Sequence, residues 1–201
     1  NNCQGRLRHV KLSYPMLQES AMLWLDQPSD LTQFLQKHRD AKWVAMDTEF
    51  IRERTYYPQL ALVQLCIDGD IALIDPTRPE VAALLVPMLT DPGVLKIMHS
   101  SSEGAGLSYL KLVEQLCGVT LEKGETRSDW LQRPLSESQR HYAADDVRYL
   151  LPIFEVLNAK LDASGRRPWL DADCRRAAAA AAEEAIDANP HLGIRTNQAL
   201  D

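Results

Sequence analysis

Trp43-Val44-Ala45-Met46 is a short, apolar, β-favouring run that delivers Asp47-Thr48-Glu49-Phe50, placing two carboxylates two residues apart where a strand should end. Alternation along a strand puts Asp47 and Glu49 on one face. Two acids held side by side raise each other's pKa, so the arrangement is costly unless a cation lies between them. A second acidic group, Tyr142-Ala143-Ala144-Asp145-Asp146, sits in a helical pattern. There Tyr142 and Asp146, four residues apart, share a face, while Asp145 points elsewhere. A strand-end acid pair and a tyrosine-plus-acid helix face could meet around metal ions. Mg2+ suits this supply, because it takes few protein carboxylates and keeps waters and substrate phosphates as its other ligands.

The elements that must position these groups can be read locally. Ser29-Asp-Leu-Thr-Gln-Phe-Leu-Gln predicts a capped amphipathic helix with Leu31, Phe34 and Leu35 facing inward, leading directly into the Trp43 strand. Leu60 to Ile67 and Ile71 to Ile74 are apolar runs joined by the turn signal Asp68-Gly69-Asp70, and together they predict a hairpin. Val81 to Leu89 suits a helix, Asp91-Pro92-Gly93 breaks it, and Val94 to Met98 suits a buried strand ending at His99. Lys111 to Cys117 is amphipathic and stops at Gly118. Ser136-Glu-Ser-Gln139 matches a capping box and opens the helix that carries Tyr142 and Asp146, and Pro152 should bend or end it. Strand, hairpin, helix and strand describe an α/β protein with a mixed sheet.

The 201 residues allow one principal α/β domain with extra chain at both ends. Cysteines 3, 66, 117 and 174 are scattered, without a zinc spacing or a disulfide framework, which fits reduced thiols in a cytoplasm. No apolar stretch approaches membrane-spanning length and the N-terminus lacks signal-peptide order, so a soluble, cytoplasmic protein without a membrane partner is expected. Lys plus Arg number 22 against 28 Asp plus Glu, a net charge of −6, which argues against a protein coated in basic residues for nucleic acid. A nuclease is not excluded, since bound divalent cations reverse the local sign of charge.

In combination, these residues resemble the DEDD 3′→5′ exonucleases, and within them the tyrosine-type ribonuclease D group. Asp47-Thr-Glu-Phe-Ile-Arg-Glu-Arg-Thr-Tyr-Tyr-Pro-Gln-Leu-Ala-Leu-Val-Gln-Leu65 is similar to that family's first motif and following strand. Val119 to Leu151, with Lys123-Gly-Glu-Thr-Arg-Ser-Asp-Trp130-Leu-Gln-Arg-Pro-Leu135 and Tyr142 to Asp146, is similar to its third. The resemblance covers roughly residues 22 to 170. It implies a ribonuclease H-like mixed β-sheet flanked by helices, with Asp47, Glu49 and Asp146 ligating two divalent cations, Mg2+ or Mn2+. Asp47 would bridge the ions and Tyr142 would orient the attacking water. It also implies two-metal hydrolysis, one ion activating water and the other stabilising the leaving 3′ oxygen. Mononucleotides would leave from RNA 3′ ends, tRNA precursors among them, with no obligate protein partner evident. His141, five residues before Asp146, matches the spacing of histidine-type relatives. A four-residue step rotates about 40° around a helix and a five-residue step about 140°, so an unbroken helix favours Tyr142.

The second motif departs from the family. His99-Ser-Ser-Ser-Glu103 should be followed by an aspartate that binds the second metal, yet Gly104 follows and no aspartate occurs from 100 through 128. The family's helix before the Leu107 to Gly118 region is missing with it. Either a natural deletion removed a ligand, or the molecule has residues here that the 201 do not include. The second is favoured, because losing a core helix would destabilise the fold by several kcal/mol while the flanking motifs are intact. The expected organisation is a lead-in over 1–21, an exonuclease domain over 22–165, and a helical linker over 166–201 toward a possible C-terminal helical domain.

Other residues carry two readings each. Thr48 and Phe50 adjoin the acid pair, and Phe50 could stack on a terminal base or pack in the core. His99 could face substrate or be satisfied locally. Lys123 and Arg127, like Arg52 and Arg54, could touch phosphates or be ordinary surface cations. Trp130, Arg133 and Pro134 are expected to set the loop against the helix. The motifs do not report how a 2′-hydroxyl is read, so a DNA proofreading-type exonuclease stands as an alternative, as does an inactive nucleic-acid-binding relative.

Overall fold

The computed structural model describes residues 22–51, 58–99, 108–122, 124, 125 and 128–184, the last four as backbone only. The chain divides into two compact units, Asn1–Val156 and Leu157–Asp201. In the first unit, five strands form one sheet: β1 (Met22–Leu25), β2 (Trp43–Ile51), β3 (Gln59–Ile67), β4 (Asp70–Ile74) and β5 (Leu95–Ile97). Their order is β1-β4-β3-β2-β5. The central β3 runs antiparallel to both β2 and β4, while β1 adds to β4 and β5 adds to β2 in parallel. The mixed sheet expected from the alternating elements is present.

Its helices are α1 (Pro28–Lys37), α2 (Pro79–Ala83), α3 (Val86–Thr90), α4 (Tyr109–Cys117), α5 (Glu137–Arg148) and the start of α6 (Leu150–Ala163). One sheet face buries Val44, Met46, Val63 and Leu65 with Leu31 and Phe34 of α1 and Val81 of α2. The other buries Ala45, Leu62, Cys66 and Leu73 under Ala143, Ala144 and Val147 of α5. The alternation of β2 therefore decides which layer Asp47 and Glu49 meet: they follow Ala45 at steps of two and fall on the α5 side.

The β3–β4 turn has Asp68 at φ 52° and Gly69 at φ 89°, the pair of left-handed conformations that a two-residue hairpin turn requires. Gly118, at φ 73°, ends α4 as expected. Four expectations need correction. The strand expected to be buried over Val94 to Met98 is the three-residue edge strand β5, with Leu95 and Met98 exposed and only Ile97 buried, because it pairs on one side alone. The first helix starts at Pro28 rather than being capped by Ser29, whose hydroxyl donates to Asp30 instead; proline's fixed φ already suits the first helical position. The expected helix over Val81 to Leu89 is split into α2 and α3, because Pro87 has no N–H to offer the carbonyl four residues back. Strand β1 was not foreseen at all. Pro152 acts as expected: α5 stops at Arg148, the residue whose carbonyl the proline ring would meet, and α6 resumes at Leu150.

Arg133 ties the segment before α5 to the sheet. Its Nε donates to Asp75 Oδ2 at 2.6 Å, its Nη2 to the Ala61 carbonyl at 2.8 Å and its Nη1 to the Trp130 carbonyl at 2.7 Å, with the guanidinium 5.2 Å over the Trp24 ring. Continuing the β3–β4 register would set Ala61 opposite Pro76, which has no N–H, and Arg133 supplies the donor. Burial alone would push the Asp75 carboxyl up, but hydrogen bonds from Arg133 and Thr77 outweigh it and hold it below its ordinary value. The positioning role expected for Trp130 and Arg133 is thereby given atoms.

The second unit contains the rest of α6 and α7 (Arg167–Glu184), joined through Gly165 at φ 68°. Its described surface is polar and alanine-rich, with Arg167 paired to Asp162 and Arg166 over Trp169.

Removing the guanidinium takes the donor from Asp75 Oδ2, leaving that carboxylate only its Thr77 bonds, and takes the donor from the buried Ala61 carbonyl. Arg133→Ala is expected to lower unfolding stability by roughly 2–4 kcal/mol in a denaturant titration.

Candidate active site

Asp47, His99 and Asp146 converge from three elements. Asp47 lies on β2, two residues short of a register shift between Glu49 and Phe50. His99 follows the end of β5, which runs parallel beside β2. Asp146 lies on α5, whose N-terminus is fixed by a complete capping box: the Ser136 hydroxyl accepts from the Gln139 N–H at 3.1 Å, and the Gln139 side chain accepts from the Ser136 N–H at 2.9 Å. One ligand atom from each of the three lies within 4.8 Å of the others. Two ligands of one ion at bond lengths near 2 Å stand no more than about 4 Å apart, so a small closing movement would let the three share a divalent ion.

Glu49 shares this pocket of charge. Its carboxyl is pushed up to about 8, first by burial and then by Asp47 and Asp146. Asp146, 8% exposed, is pushed up to about 7 by burial and then by Asp47. His99 moves up from its ordinary value, chiefly through the Asp47 carboxylate, which outweighs burial. Its Nε2 lies 2.9 Å from Asp47 Oδ2, an ion-pair contact without a regular hydrogen bond among the described residues. The structure thus holds buried carboxyls that repel one another beside an imidazole, which is a donor set suited to a cation.

The other expected residues fall out as follows. Tyr142 is half-buried one turn before Asp146 on α5, its ring 6.0 Å from Trp130 at an angle of 42°. His141 is exposed and its Nδ1 lies 2.9 Å from the Glu137 carbonyl, so the unbroken helix turns it away. Asp145 points away too, accepting from Arg148 Nε at 3.1 Å. Phe50 is 47% exposed and belongs to no core cluster, so its packing reading fails. Thr48 pairs in register with Val63 and falls on the α1 side of the sheet, away from Asp47. Lys123, Arg127, Arg52, Arg54 and the turn from Ser100 through Gly104 lie outside the described residues.

Two residues escaped the sequence reading. Gln64 stands opposite Asp47 in the β2–β3 register, is fully buried, and has neither amide atom hydrogen-bonded. Its only sequence signal is a polar residue inside the apolar run Leu60 to Ile67. Tyr109 stacks on His99, with ring centroids 4.6 Å apart and planes 11° apart, and donates its hydroxyl to the Asp145 carbonyl at 2.7 Å. Nothing local marked that link.

A family model described as 3′-5′ exonuclease matches residues 22–104 and again 101–162. Ribonuclease D of Xanthomonas oryzae is 43% identical over 206 positions, covering 89% of this chain and 56% of that protein. Ribonuclease D of Escherichia coli is 41% identical over 66% of this chain and 43% of its own length. The E. coli RNase D crystal structure, described as an exoribonuclease involved in structured RNA processing, superposes with TM-score 0.68 over 78% of this chain and 49% of that one at 35% identity. Brucella melitensis NrnC with bound Mg2+ has the same fold at TM-score 0.59 and 23% identity, over 76% of this chain and 86% of that one. The chain spans about half the length of the curated relatives it matches. An alignment of 206 positions exceeds the chain's 201 residues, and the two family-model stretches meet at 101–104. The relatives therefore carry an internal segment that this chain lacks, where the second-motif aspartate is expected. With the motifs, the sheet order and the converging carboxylates in agreement, the chain belongs to the 3′-5′ exonuclease family, with ribonuclease D proteins among its relatives.

Proposed function

We propose that residues 22–165 form a metal-dependent 3′→5′ exoribonuclease domain releasing nucleoside monophosphates from RNA 3′ ends, tRNA precursors and other structured RNA among them, in the cytoplasm. Residues 166–201 then act as a helical connector. The observation that carries the reading is the convergence of Asp47 and Asp146, with the Glu49 carboxyl near enough to be pushed up by both, where burial and mutual repulsion make a cation the natural partner. The relatives' ribonuclease D character and the Mg2+ in NrnC support the same reading.

Divalent cations, Mg2+ or Mn2+, would supply Lewis acidity toward water and the leaving 3′ oxygen when bound. Asp47, Glu49 and Asp146 would hold them. Tyr142, one turn from Asp146, would orient the attacking water with its hydroxyl, its ring kept in place by Trp130. Phe50, exposed beside the acid pair, would offer a face for the terminal base, and Lys123 a charge for backbone phosphate. Thr48 would contribute through its main chain, its side chain being on the other face. A second reading, a binding module without activity, is favoured by the absent second-motif aspartate.

Single-stranded RNA and DNA oligonucleotides labelled at the 5′ end test the choice. Stepwise loss of 3′ nucleotides from RNA in preference to DNA is expected, abolished by a chelator and by Asp47→Ala with the circular dichroism spectrum unchanged. Activity surviving both would sink the mechanism, and DNA preferred over RNA would sink the substrate. Tyr142→Phe should lower kcat by roughly a hundredfold or more with KM little changed.

The raised carboxyls also fix a sign. Folded protein without metal holds protons on Asp146 up to about 7 and on Glu49 up to about 8, where the unfolded chain has lost them. The stability this contributes is fully present below the ordinary carboxylate range and is lost as pH rises through those values. In chelator the thermal midpoint should therefore fall across that window. Metal affinity should rise across it and level off above about 8, because binding must first release the protons. An affinity independent of pH would contradict the geometry.

A further inference from the structure

We propose that His99 is a metal ligand in this chain, completing with Asp47 and Asp146 a mixed nitrogen and oxygen site that binds Zn2+ and then Mn2+ in preference to Mg2+. The proposal rests on the metal-site part of the exonuclease reading and names what that site selects.

The placement comes first. Asp47, His99 and Asp146 each offer a donor atom within 4.8 Å of the others, and His99 Nε2, 2.9 Å from Asp47 Oδ2, is buried without a regular hydrogen bond among the described residues. Without metal, the imidazole is an ion-pair partner of Asp47. A cation held between Asp47 and Asp146 would lie within reach of the His99 ring, so the ring must either swing away or coordinate. The structure opposes leaving. The ring is stacked flat on Tyr109, and Tyr109 is anchored through its hydroxyl to the Asp145 carbonyl, next to Asp146 itself. One ligand's shelf is thus bolted to the helix that carries another, as outer partners of metal sites commonly fix ring orientation.

The second consideration is ligand supply. Among the described residues, the ligand group holds two carboxylates, Asp47 and Asp146, and its third donor is the His99 imidazole. Mg2+ demands oxygen ligands in near-octahedral order, whereas imidazole suits borderline ions. Of the ions named, affinity for a site containing nitrogen rises from Mn2+ to Zn2+.

The full chain, stripped of metal, is titrated calorimetrically with Zn2+, Mn2+ and Mg2+ in the absence of nucleic acid. Zn2+ should bind at least tenfold more tightly than Mg2+. His99→Phe, which keeps a ring for the Tyr109 stack and removes both nitrogens, should abolish that preference, mainly by weakening Zn2+. In parallel, long-range nitrogen–proton NMR of the unmutated protein, with the His99 ring assigned through its contact to Tyr109, should show Nε2 shifting on Zn2+ addition and ceasing to titrate with pH. This second measurement decides the matter even if the variant does not fold. Equal affinities for Zn2+ and Mg2+, a Zn2+ affinity unchanged in a folded His99→Phe protein, or a His99 ring indifferent to saturating Zn2+ would each overturn the proposal. Zn2+ bound through His99 in a protein that releases no mononucleotide would support it while overturning the exonuclease reading. An active enzyme whose His99 ignores every metal would do the reverse.

Discussion

The close seating of α5 on the sheet is the constraint from which the rest of the site follows. Ala143 and Ala144, both fully buried, meet a face that presents Ala45 and Ala61. Small side chains on both layers let the helix lie low. That low seat carries Asp146 down among Asp47 and Glu49, groups that electrostatics alone would keep apart. The apolar contact around it, from Leu62, Leu73, Val147 and Leu150, offsets the repulsion. Core and site are therefore one arrangement: the packing that stabilises the domain is what brings its acids into conflict.

That conflict is held without being relieved. Glu49 and Asp146 are forced toward their neutral forms, and His99 is drawn toward its charged form against Asp47. Gln64, on the same sheet face and opposite Asp47, adds a buried amide with no hydrogen-bond partner among the described residues. Buried polar groups are ordinarily satisfied, and exceptions of this kind concentrate where function is set ahead of stability. By contrast, Arg133 meets Asp75, Ala61 and Trp130 with three good hydrogen bonds at the opposite end of the β3 ladder from its hairpin turn. Tension around the acids is balanced by thorough satisfaction in the segment that introduces α5.

Much of this was legible in the residues because the signals are local. The acid pair at the end of β2, the Asp68-Gly69 turn, the Ser136 to Gln139 capping box and the four-residue step from Tyr142 to Asp146 each lie within a few residues of chain. What escaped depends on partners far apart in sequence. β1 is four residues long and is recognisable as a strand only once β4 lies beside it. His99 reaches Asp47 only because the three-residue β5 adds in parallel to β2. Tyr109 meets His99 and α5 across a sheet edge that no local period describes. Where local rules failed outright, at Ser29 and across Pro87, a proline imposed its own backbone geometry in place of the expected pattern.

The capping box at Ser136 also sets the phase of the helix. Each residue of α5 turns the helix by about 100°, so its rotational setting, once fixed at the first turn, is carried three turns along to the acids. Asp145 and Asp146 are identical in chemistry and adjacent in the chain, and only this phase decides which one meets Asp47 and which is spent on Arg148. A slip of one residue at the N-terminus would exchange them with no change in composition. The capping hydroxyl, far along the helix from the acids, thus acts as an index mark that tells two equal carboxylates apart.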